Sequence, residues 1–266
     1  SSWDPALVER VGAAMGAEAR DYGVDVLLAP ALNIHRNPLG GRGFEYYSED
    51  PVISGRMAAA AIRGIQSTGV AATPKHLVAN EHEWNRYTID VRVAERPLRE
   101  IYLRAFEIAV REGRPQALMT SYNRLNGLYT SQSPRLLDGV LRGEWGFDGL
   151  VMTDWFAGDD PVAQLRAGND LLMPGTGVQH RALTAALAAG TLTSATLDRN
   201  VAQVLGLVLR SPSFRGQRAT DAPDLEGHAR LAREAAAAGV VLLRNEDASL
   251  PLVRGLKVAL FGNASY

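Results

Sequence analysis

The amino-acid sequence predicts an α/β protein of the (β/α)8-barrel type. Short apolar runs alternate along the chain with amphipathic helical patterns, as they do in folds that contain a parallel sheet. The run at 149–152, Gly-Leu-Val-Met, has no polar alternation and is typical of a strand that is covered on both faces. Asp154 follows this run, at the strand end that carries the chemistry in such barrels. This stretch supports equally well a structural role, in which Asp154 caps the N-terminus of the next helix.

Each predicted element has its own local signal. A helix begins after Asp4-Pro5, and a second covers 97–110 with Gly113 just beyond its end. A third helix is predicted near 160–168. Strands are predicted at the apolar runs 24–34, 70–74, 117–120, 149–152 and 171–175. These are five strands, whereas a complete barrel of this type has eight.

Polar side chains follow four successive strands, at the point where each strand ends. The second strand is followed by Lys-His at 75–76, the third by Ser-Tyr-Asn at 121–123 and the fourth by Asp154. The first strand is followed by a longer polar stretch at 35–45. One such strand end is common in any soluble protein. Four in a row predict a site for a polyhydroxylated ligand.

Composition excludes several classes of partner. A formal net charge of −1 over 266 residues gives no long-range attraction to nucleic acid or to an anionic membrane surface. No apolar stretch reaches the length that spans a bilayer. With no Cys, the sequence contains neither a disulfide framework nor a thiolate metal site. We therefore expect no nucleic-acid partner and no membrane partner.

The C-terminal part of the sequence predicts the start of a second domain. Residues 211–225 are rich in Pro, Gly, Ser and charge, which is typical of a linker. A helix is predicted at about 226–238, followed by apolar runs at 240–243 and 257–262. The expected organisation is a barrel domain at 1–210, a linker at 211–225 and the start of an α/β sandwich domain at 226–266.

Five motifs occur in an order that is specific to one family of enzymes. The longest is Asn-Ile-His-Arg-Asn-Pro-Leu-Gly-Gly-Arg-Gly-Phe-Glu-Tyr-Tyr-Ser-Glu-Asp-Pro at 33–51. Lys-His at 75–76, Asn-Arg at 85–86, Met-Thr-Ser-Tyr-Asn at 119–123 and Thr-Asp-Trp at 153–155 follow it. Together they resemble the catalytic barrel of glycoside hydrolase family 3, the β-glucosidase and β-xylosidase type. The resemblance covers most of residues 3–210.

The resemblance implies a retaining, exo-acting β-glycosidase that forms a covalent glycosyl intermediate on Asp154. Its implied substrates are β-linked oligosaccharides or glycosides with a terminal glucose or a related sugar such as xylose. The implied substrate-binding residues are Arg42, Lys75, His76, Arg86, Met119, Tyr122 and Trp155. No cofactor is expected.

The resemblance also implies parts of the protein beyond this sequence. The first strands of the barrel are expected upstream of Ser1, and the acid/base, a Glu, is expected in the second domain beyond Tyr266. The motif at 75–81 differs from the Lys-His-Phe-Pro-Gly string of members that cleave N-acetylglucosamine, so no barrel His is expected to donate the proton. We therefore expect residues 1–266 alone to show little or no glycosidase activity.

Two other functional classes stay open from the sequence. A Lys at a barrel strand end can be desolvated into a nucleophile, which makes Lys75 a candidate for Schiff-base chemistry. A non-catalytic sugar-binding relative is the other alternative, because every binding residue can persist without turnover. A metal site is disfavoured, because the spacing of His76, Glu81, His82 and Glu83 matches no helical zinc motif.

Overall fold

The computed structural model describes residues 2–262. Its helices are α1 (Pro5–Asp21), α2 (Pro51–Gln66), α3 (Glu95–Pro97), α4 (Leu103–Gly113), α5 (Pro161–Arg166), α6 (Gly177–Ala188), α7 (Ser194–Arg210) and α8 (Leu225–Gly239). Its strands are β1 (Val26–Leu27), β2 (Ala71–Ala72), β3 (Asp90–Val91), β4 (Ala117–Met119), β5 (Arg124–Leu125), β6 (Leu128–Tyr129) and β7 (Leu150–Met152). Wider π-helical turns occupy Leu98–Tyr102 and Arg135–Glu144, and 3-10 turns occupy Gly43–Glu45, Thr130–Gln132 and Glu246–Ala248.

Five extended segments lie side by side and parallel, in the order in which they occur along the chain. β1 pairs with β2, and β4 pairs with β7. Three backbone bonds join these pairs. Leu77 N–H donates to the carbonyl of Met119 over 2.9 Å, Met119 N–H donates to that of Pro74 over 3.1 Å, and Ser121 N–H donates to that of Leu77 over 2.8 Å. A bridge from Met152 to Leu171 adds the fifth segment. This succession of parallel strands with helical crossovers confirms the predicted α/β class.

One face of this parallel sheet packs against α2 and α4. Leu118 of β4 and Val151 of β7 are fully buried on this face, in one cluster with Ile62 of α2 and Phe106 of α4. Because these side chains are enclosed by helices, the strands carry no polar residue on this face.

The opposite face of the same strands packs against α7. Ala117, Met119, Leu150 and Met152 alternate along β4 and β7 with the residues of the first face, and they form a cluster with Leu207 of α7. The parallel sheet is therefore covered on both faces. The expectation of further strands upstream of Ser1 stays a prediction, because Ser1 itself lies outside the described residues.

The first predicted strand is shorter than the apolar run at 24–34. Only β1 and a single bridge between Ala31 and Lys75 pair with the neighbouring segment. Pro30 lies between them and has no N–H to donate to a ladder. After the exposed Val24, the residues up to Ile34 are half-buried or buried, which accounts for the apolar run without one continuous strand.

The helix predicted at 97–110 is longer at both ends. It begins with α3, continues through the π-helical turn Leu98–Tyr102 and ends with α4. Gly113 is the last helical residue, and the left-handed residue that terminates the helix is Arg114, with φ of 49°. The sequence placed the helix end correctly to within a few residues but assigned the terminating conformation to the wrong residue.

A second, three-stranded sheet was not predicted from the sequence. β3 pairs in parallel with β5, and β5 pairs in antiparallel with β6. Asn126 and Gly127, with φ of 52° and 96°, make the two-residue turn between β5 and β6, and Asn-Gly is the pair that such turns favour. The hydroxyl of Tyr129 donates to the carbonyl of Tyr87 over 3.0 Å. This sheet therefore helps to hold the segment that carries Arg86.

The last described helix, α8, packs against the first helix of the chain. Arg10 donates from both terminal nitrogens to the carboxylate of Glu234, each over 2.8 Å. Nδ1 of His228 lies 2.7 Å from a carboxylate oxygen of Glu18. α8 therefore occupies the position in the chain where the sequence predicts a helix, and it rests on α1.

The C-terminal region after α8 contains the two apolar runs of the expected second domain. The apolar runs at 240–243 and 257–262 are exposed, and neither forms a strand within residues 2–262. Residues 263–266 lie outside the described range. The division into barrel, linker and second domain thus stays a prediction.

In the described part of the chain, every helix is too short or too polar to cross a membrane.

The close approach of α1 and α2 generates a prediction about stability. A Cβ atom on Gly64 of α2 would lie 2.1 Å from the carbonyl oxygen of Glu9 and 2.7 Å from the backbone nitrogen of Ala13. Backbone atoms cannot yield by rotating a side chain. We expect Gly64→Ala to lower the free energy of unfolding by about 1–3 kcal/mol, the usual effect of overpacking. Urea denaturation of the protein measures this change.

Gly206→Ala in α7 is the matched control. The nearest atom to a Cβ on Gly206 is a terminal nitrogen of Arg210, at 3.5 Å, which is ordinary contact. Replacing Gly by Ala in a helix interior stabilises by about 0.5–1 kcal/mol. The two substitutions should therefore shift the unfolding midpoint in opposite directions, and a shift of the same sign would contradict the close packing of α1 on α2.

Candidate active site

The carboxyl ends of the central strands bring the candidate residues to one edge of the parallel sheet. Lys75 and His76 follow β2, Tyr122 follows β4, and Asp154 follows β7. The segments that contain β2, β4 and β7 are parallel neighbours, so their carboxyl ends lie side by side. The sequence predicted this edge as the site, and the structure brings these four side chains together there.

Asp154 is the central carboxylate of this edge, with only 6% of its surface exposed. Its Oδ1 accepts a hydrogen bond from the backbone N–H of Trp155 over 2.8 Å. The hydroxyl of Tyr122 also donates to the carboxylate. Burial raises the pKa of Asp154, and these two bonds, with the charges of Arg42 and Lys75, offset part of the increase. The carboxylate is therefore enclosed but has donors and cations around it.

The contacts also decide the capping alternative for Asp154. Asp160, and not Asp154, caps α5, because its side chain accepts from the N–H groups of Val162 and Ala163. Asp154 is therefore free of a capping role. Among residues 2–262, no group of three or more His, Cys, Asp or Glu side chains is arranged to hold a metal ion.

His76 lies beside the carboxylate and is almost fully buried. Its Nε2 is 3.5 Å from Oδ2 of Asp154 and 3.0 Å from Nη1 of Arg42. Burial lowers the pKa of His76 well below 6.5, and the positive charges of Arg42, Lys75 and Arg86 lower it further. The imidazole is therefore neutral at neutral pH, and its contact with Asp154 is not an ion pair.

Arg42 reaches this edge from the loop between β1 and α2. Its Nε donates to the carboxylate of Glu45 in a close ion pair within the 3-10 turn. Gly41, the residue before it, has φ of 91°, and a Cβ there would lie 2.8 Å from the side chain of Glu83. Glycine is required at this point because the backbone is left-handed and closely packed. Glu45 thus braces Arg42.

Lys75 is half-buried, one residue before His76. Burial lowers the pKa of its ammonium group, and the charge of Arg42 acts in the same direction. The carboxylates of Glu45 and Asp154 raise the pKa. The ammonium group therefore lies within electrostatic range of two carboxylates, one of them Asp154.

Arg86, Tyr87 and Tyr122 form a cluster next to Asp154. The guanidinium carbon of Arg86 lies 4.5 Å from the ring centre of Tyr122 and 5.1 Å from that of Tyr87. Its Nη1 is 2.8 Å from a carboxylate oxygen of Glu83. Burial raises the pKa of Tyr122, and the negative charge of Asp154 raises it further. The Tyr122 hydroxyl therefore stays protonated and can donate to Asp154.

Met119 and Trp155 belong to the apolar cluster beneath this edge. Met119 is 2% exposed, so it is enclosed by the cluster and does not face solvent. Trp155 is partly buried and packs against the same cluster, leaving part of its surface exposed next to Asp154. Met119 thus supports the floor of the site, whereas Trp155 offers an accessible aromatic surface.

Two buried polar residues were not assigned a role from the sequence. Asn33, in the long motif at 33–51, is 1% exposed and binds the backbone of His76. Gln164 of α5 donates to the carbonyl of Ala157 over 2.7 Å, which holds the turn after Asp154. No local sequence pattern predicts the role of Gln164, because its hydrogen-bond partners lie in other elements. For Asn33, the only signal in the sequence is its place in the motif.

The geometry agrees with one family of enzymes. The model of the N-terminal domain of glycosyl hydrolase family 3 matches residues 1–207. The chain belongs to glycosyl hydrolase family 3. The resemblance inferred from the motifs is therefore confirmed, and so is the predicted barrel-type fold class.

Three relatives illustrate the match. Thermostable beta-glucosidase B of Acetivibrio thermocellus is 47% identical over 262 residues, covering 98% of this chain and 34% of that protein. Exo-alpha-(1->6)-L-arabinopyranosidase of Bifidobacterium longum is 44% identical over 257 residues, covering 96% and 33%. Beta-glucosidase 3B of Thermotoga neapolitana, solved in complex with glucose, has a TM-score of 0.92 and 56% identity, covering 94% and 36%. The chain spans about a third of the length of these relatives.

Glu81 is an acidic residue next to Asn33 with a shifted pKa. It is half-buried, and burial raises its pKa from 4.5 to about 7. Its carboxylate accepts from the backbone of Ile34 and the side chain of Asn33, and it lines a cavity of about 270 Å³ with Arg36 and Tyr102. These contacts hold Glu81 next to Asn33.

The raised pKa of Glu81 predicts how stability depends on pH. The folded protein binds this proton more tightly than the unfolded chain, so stability falls as pH rises from 4.5 through about 7. Glu81→Gln carries no charge at any pH and removes this dependence. We expect the melting temperature of Glu81→Gln, relative to the unsubstituted protein, to be higher at pH 8 than at pH 4.5. A relative melting temperature that stays constant with pH would contradict the shift.

Proposed function

We propose that the complete protein is a retaining, exo-acting β-glycosidase that removes terminal β-D-glucosyl groups from oligosaccharides or glycosides. The observation that carries this proposal is the buried carboxylate of Asp154, 6% exposed at the end of β7 and within electrostatic range of Arg42 and Lys75. Retaining cleavage requires a carboxylate nucleophile at such a site. Since the chain spans about a third of its relatives, the activity is proposed for the whole protein.

In the first proposed step, Asp154 attacks the anomeric carbon and forms a glycosyl ester. The bond from this carbon to the aglycone oxygen breaks, and that oxygen takes the electron pair and a proton from the acid/base. In the second step, the acid/base takes a proton from water, whose oxygen attacks the same carbon and releases Asp154 and the sugar. The Trp155 N–H fixes Oδ1 of Asp154 during both steps.

We propose that the sugar is held by the polar side chains around Asp154. Arg42, Lys75 and Arg86 are donors, and charged donors make strong hydrogen bonds to hydroxyl oxygens. His76 lies among them as a neutral ring. The exposed part of Trp155 is suited to the apolar face of the sugar ring. These contacts position the anomeric carbon in front of Asp154, which is the entropic part of the rate enhancement.

The acid/base is proposed to be a Glu from another part of the complete protein. Among residues 2–262, the side chains that share a hydrogen bond or charged-group contact with Asp154 are those of His76 and Tyr122, and neither is a carboxylate. Glu81, whose raised pKa would suit an acid, bonds to Asn33 and Ile34 instead.

Aryl glycosides assayed with the complete protein test the proposal. The relatives include proteins named as β-glucosidases and two named as exo-α-(1->6)-L-arabinopyranosidases, so the panel contains β-D-glucoside, β-D-xyloside and α-L-arabinopyranoside. We expect the highest kcat/KM with the β-D-glucoside, and β-glucose as the first product in NMR spectra. Initial release of α-glucose would contradict retention. Binding of glucose without turnover of any glycoside would support a non-catalytic sugar-binding protein.

A Schiff-base enzyme is the second candidate, and one observation favours it. Burial lowers the pKa of the Lys75 ammonium group, and an amine nucleophile must lose its proton. Two carboxylates, Glu45 and Asp154, raise the same pKa and oppose this chemistry. Borohydride with a carbonyl substrate would reduce an imine to a stable adduct on Lys75. Mass spectrometry of the labelled peptide distinguishes the two candidates.

Substitution of Asp154 should abolish turnover in the complete protein. Asp154→Asn keeps the size of the side chain but removes the nucleophilic charge, so kcat should fall by several orders of magnitude. In Asp154→Gly, azide fits the space of the lost carboxylate and should attack from the same side, which yields a glycosyl azide of inverted configuration. Hydrolysis by Asp154→Asn at a rate near that of the unsubstituted enzyme would reject the assignment.

Lys75 should act through sugar hydroxyls and not as a proton donor. Lys75→Ala should lower kcat/KM about 10- to 100-fold, the effect of losing one charge-assisted hydrogen bond. Lys75→Met is the matched variant, because it keeps the side-chain stem and loses only the charge. The loss should be similar for aryl glucosides with poor and with excellent leaving groups. Full recovery with an excellent leaving group would instead identify Lys75 as the acid.

A further inference from the structure

Two hydrogen bonds to the backbone of His76 fix the orientation of the side-chain amide of Asn33. The Nδ2 group of Asn33 donates to the carbonyl oxygen of His76 over 3.0 Å, and the N–H of His76 donates to Oδ1 of Asn33 over 2.9 Å. A backbone carbonyl can only accept and a backbone N–H can only donate. The oxygen and nitrogen of the Asn33 amide are therefore assigned by their partners.

This orientation determines the protonation state of the His76 ring. Oδ1 of Asn33 lies 3.3 Å from Nδ1 of His76, and an amide oxygen only accepts. Nδ1 therefore carries the proton. On the other side of the ring, Nη1 of Arg42 lies 3.0 Å from Nε2, and a guanidinium group only donates. Nε2 therefore carries a lone pair. Two independent partners, one at each nitrogen, require the same tautomer.

The surroundings of the ring exclude the doubly protonated form. His76 is 1% exposed, and the charged groups that face it include Arg42, Lys75 and Arg86. Burial and these positive charges keep the imidazole neutral. Asp154 is the nearby negative charge, but its Oδ2 is 3.5 Å from Nε2, which has no proton to share with it.

Glu81 completes the arrangement from the other side of Asn33. Its carboxylate accepts a hydrogen bond from the Asn33 side chain, so the amide nitrogen has one partner in the His76 backbone and a second in Glu81. An amide that is held at three points in a buried position cannot rotate to present its nitrogen to the ring.

We propose that Asn33 is a positioning residue that locks His76 in the Nδ1-protonated tautomer and makes Nε2 a hydrogen-bond acceptor in the sugar subsite. A sugar hydroxyl that replaces Arg42 at Nε2 must then donate its proton. This last step rests on the proposed function, whereas the tautomer does not. The subsite thereby combines the charged donors Arg42, Lys75 and Arg86 with a neutral acceptor.

Nitrogen NMR of the complete protein, labelled with 15N in histidine, tests the tautomer directly. For His76 we expect a pyrrole-type shift at Nδ1 and a pyridine-type shift at Nε2, unchanged between pH 6 and pH 8. The reverse pattern, or a titration within this range, would overturn the inference. Because the unsubstituted protein is measured, the result does not depend on the folding of any variant.

The variant Asn33→Asp tests whether Asn33 is the cause. An Asp keeps the two contacts that Oδ1 accepts, and a second oxygen replaces Nδ2, which donates to the His76 carbonyl and to Glu81. Above the pKa of this carboxyl, the variant adds a negative charge beside Nδ1, which raises the pKa of His76. We expect His76 to begin titrating at a measurable pH in this variant. Asn37→Asp is the matched control, because it adds the same charge to the same loop at an exposed residue whose Oδ1 accepts from Leu39. An unchanged His76 in Asn33→Asp, or an equal shift in Asn37→Asp, would reject the role of Asn33.

Deoxy and deoxyfluoro derivatives of glucose test the acceptor role in the subsite. One hydroxyl of glucose donates its proton to Nε2, and fluorine at that position cannot donate a hydrogen bond. The sugar with fluorine there should therefore bind as weakly as the sugar with hydrogen there. Both should bind about 2- to 10-fold more weakly than glucose. In Asn33→Asp at a pH where His76 is protonated, the same fluoro sugar should bind better than the deoxy sugar. Better binding of the fluoro sugar at every position of the unsubstituted protein would overturn the acceptor role. If glucose itself does not bind, the proposed function fails while the NMR result still decides the tautomer.

Discussion

The burial of one carboxylate at the end of β7 is the constraint on which the rest of the site depends. A carboxylate that is 6% exposed loses most of its hydration, which by itself favours the protonated acid. The backbone N–H of Trp155, the hydroxyl of Tyr122 and the charges of Arg42 and Lys75 act against this loss. Apart from the adjacent Trp155, each of these groups reaches Asp154 from a different segment of the chain. The stabilisation of the ionised carboxylate is thus a property of the assembled edge and not of the 153–155 motif alone.

The supporting groups are themselves held by contacts that extend away from Asp154. Tyr122 packs against Tyr87 and under Arg86, and Arg86 is anchored by Glu83. Arg42 is braced by Glu45. Beneath them, the parallel strands are enclosed by α2 and α4 on one face and by α7 on the other. Close packing on both faces limits how far any strand end can move, which keeps the donors in place around the carboxylate.

Neutral and charged groups have separate tasks at this edge. Three cations lie around His76, and their combined field, together with burial, keeps the imidazole uncharged. A second protonated ring nitrogen would compete with Arg42 for the same space. The Asn33 amide places the single ring proton on Nδ1, which leaves Nε2 unprotonated toward Arg42, and Glu81 accepts a hydrogen bond from the same amide. The tautomer of the ring thus follows from Asn33 and Arg42, and its neutral state follows from burial and the surrounding positive charges.

The sequence by itself determined the order of the five strand segments, the placement of Asp154, Lys75, His76 and Tyr122 at their ends, and membership of the family. These features depend on local apolar runs and on contiguous motifs, which a single chain displays. Only the tertiary structure decided the cover that α7 gives to the sheet, the burial of Met119, the sheet of β3, β5 and β6, and the contact of Asn33 with His76 across 43 positions. The physical reason is that burial, hydrogen-bond partners and pKa values are set by groups that are distant in sequence, and no local pattern specifies which distant group arrives.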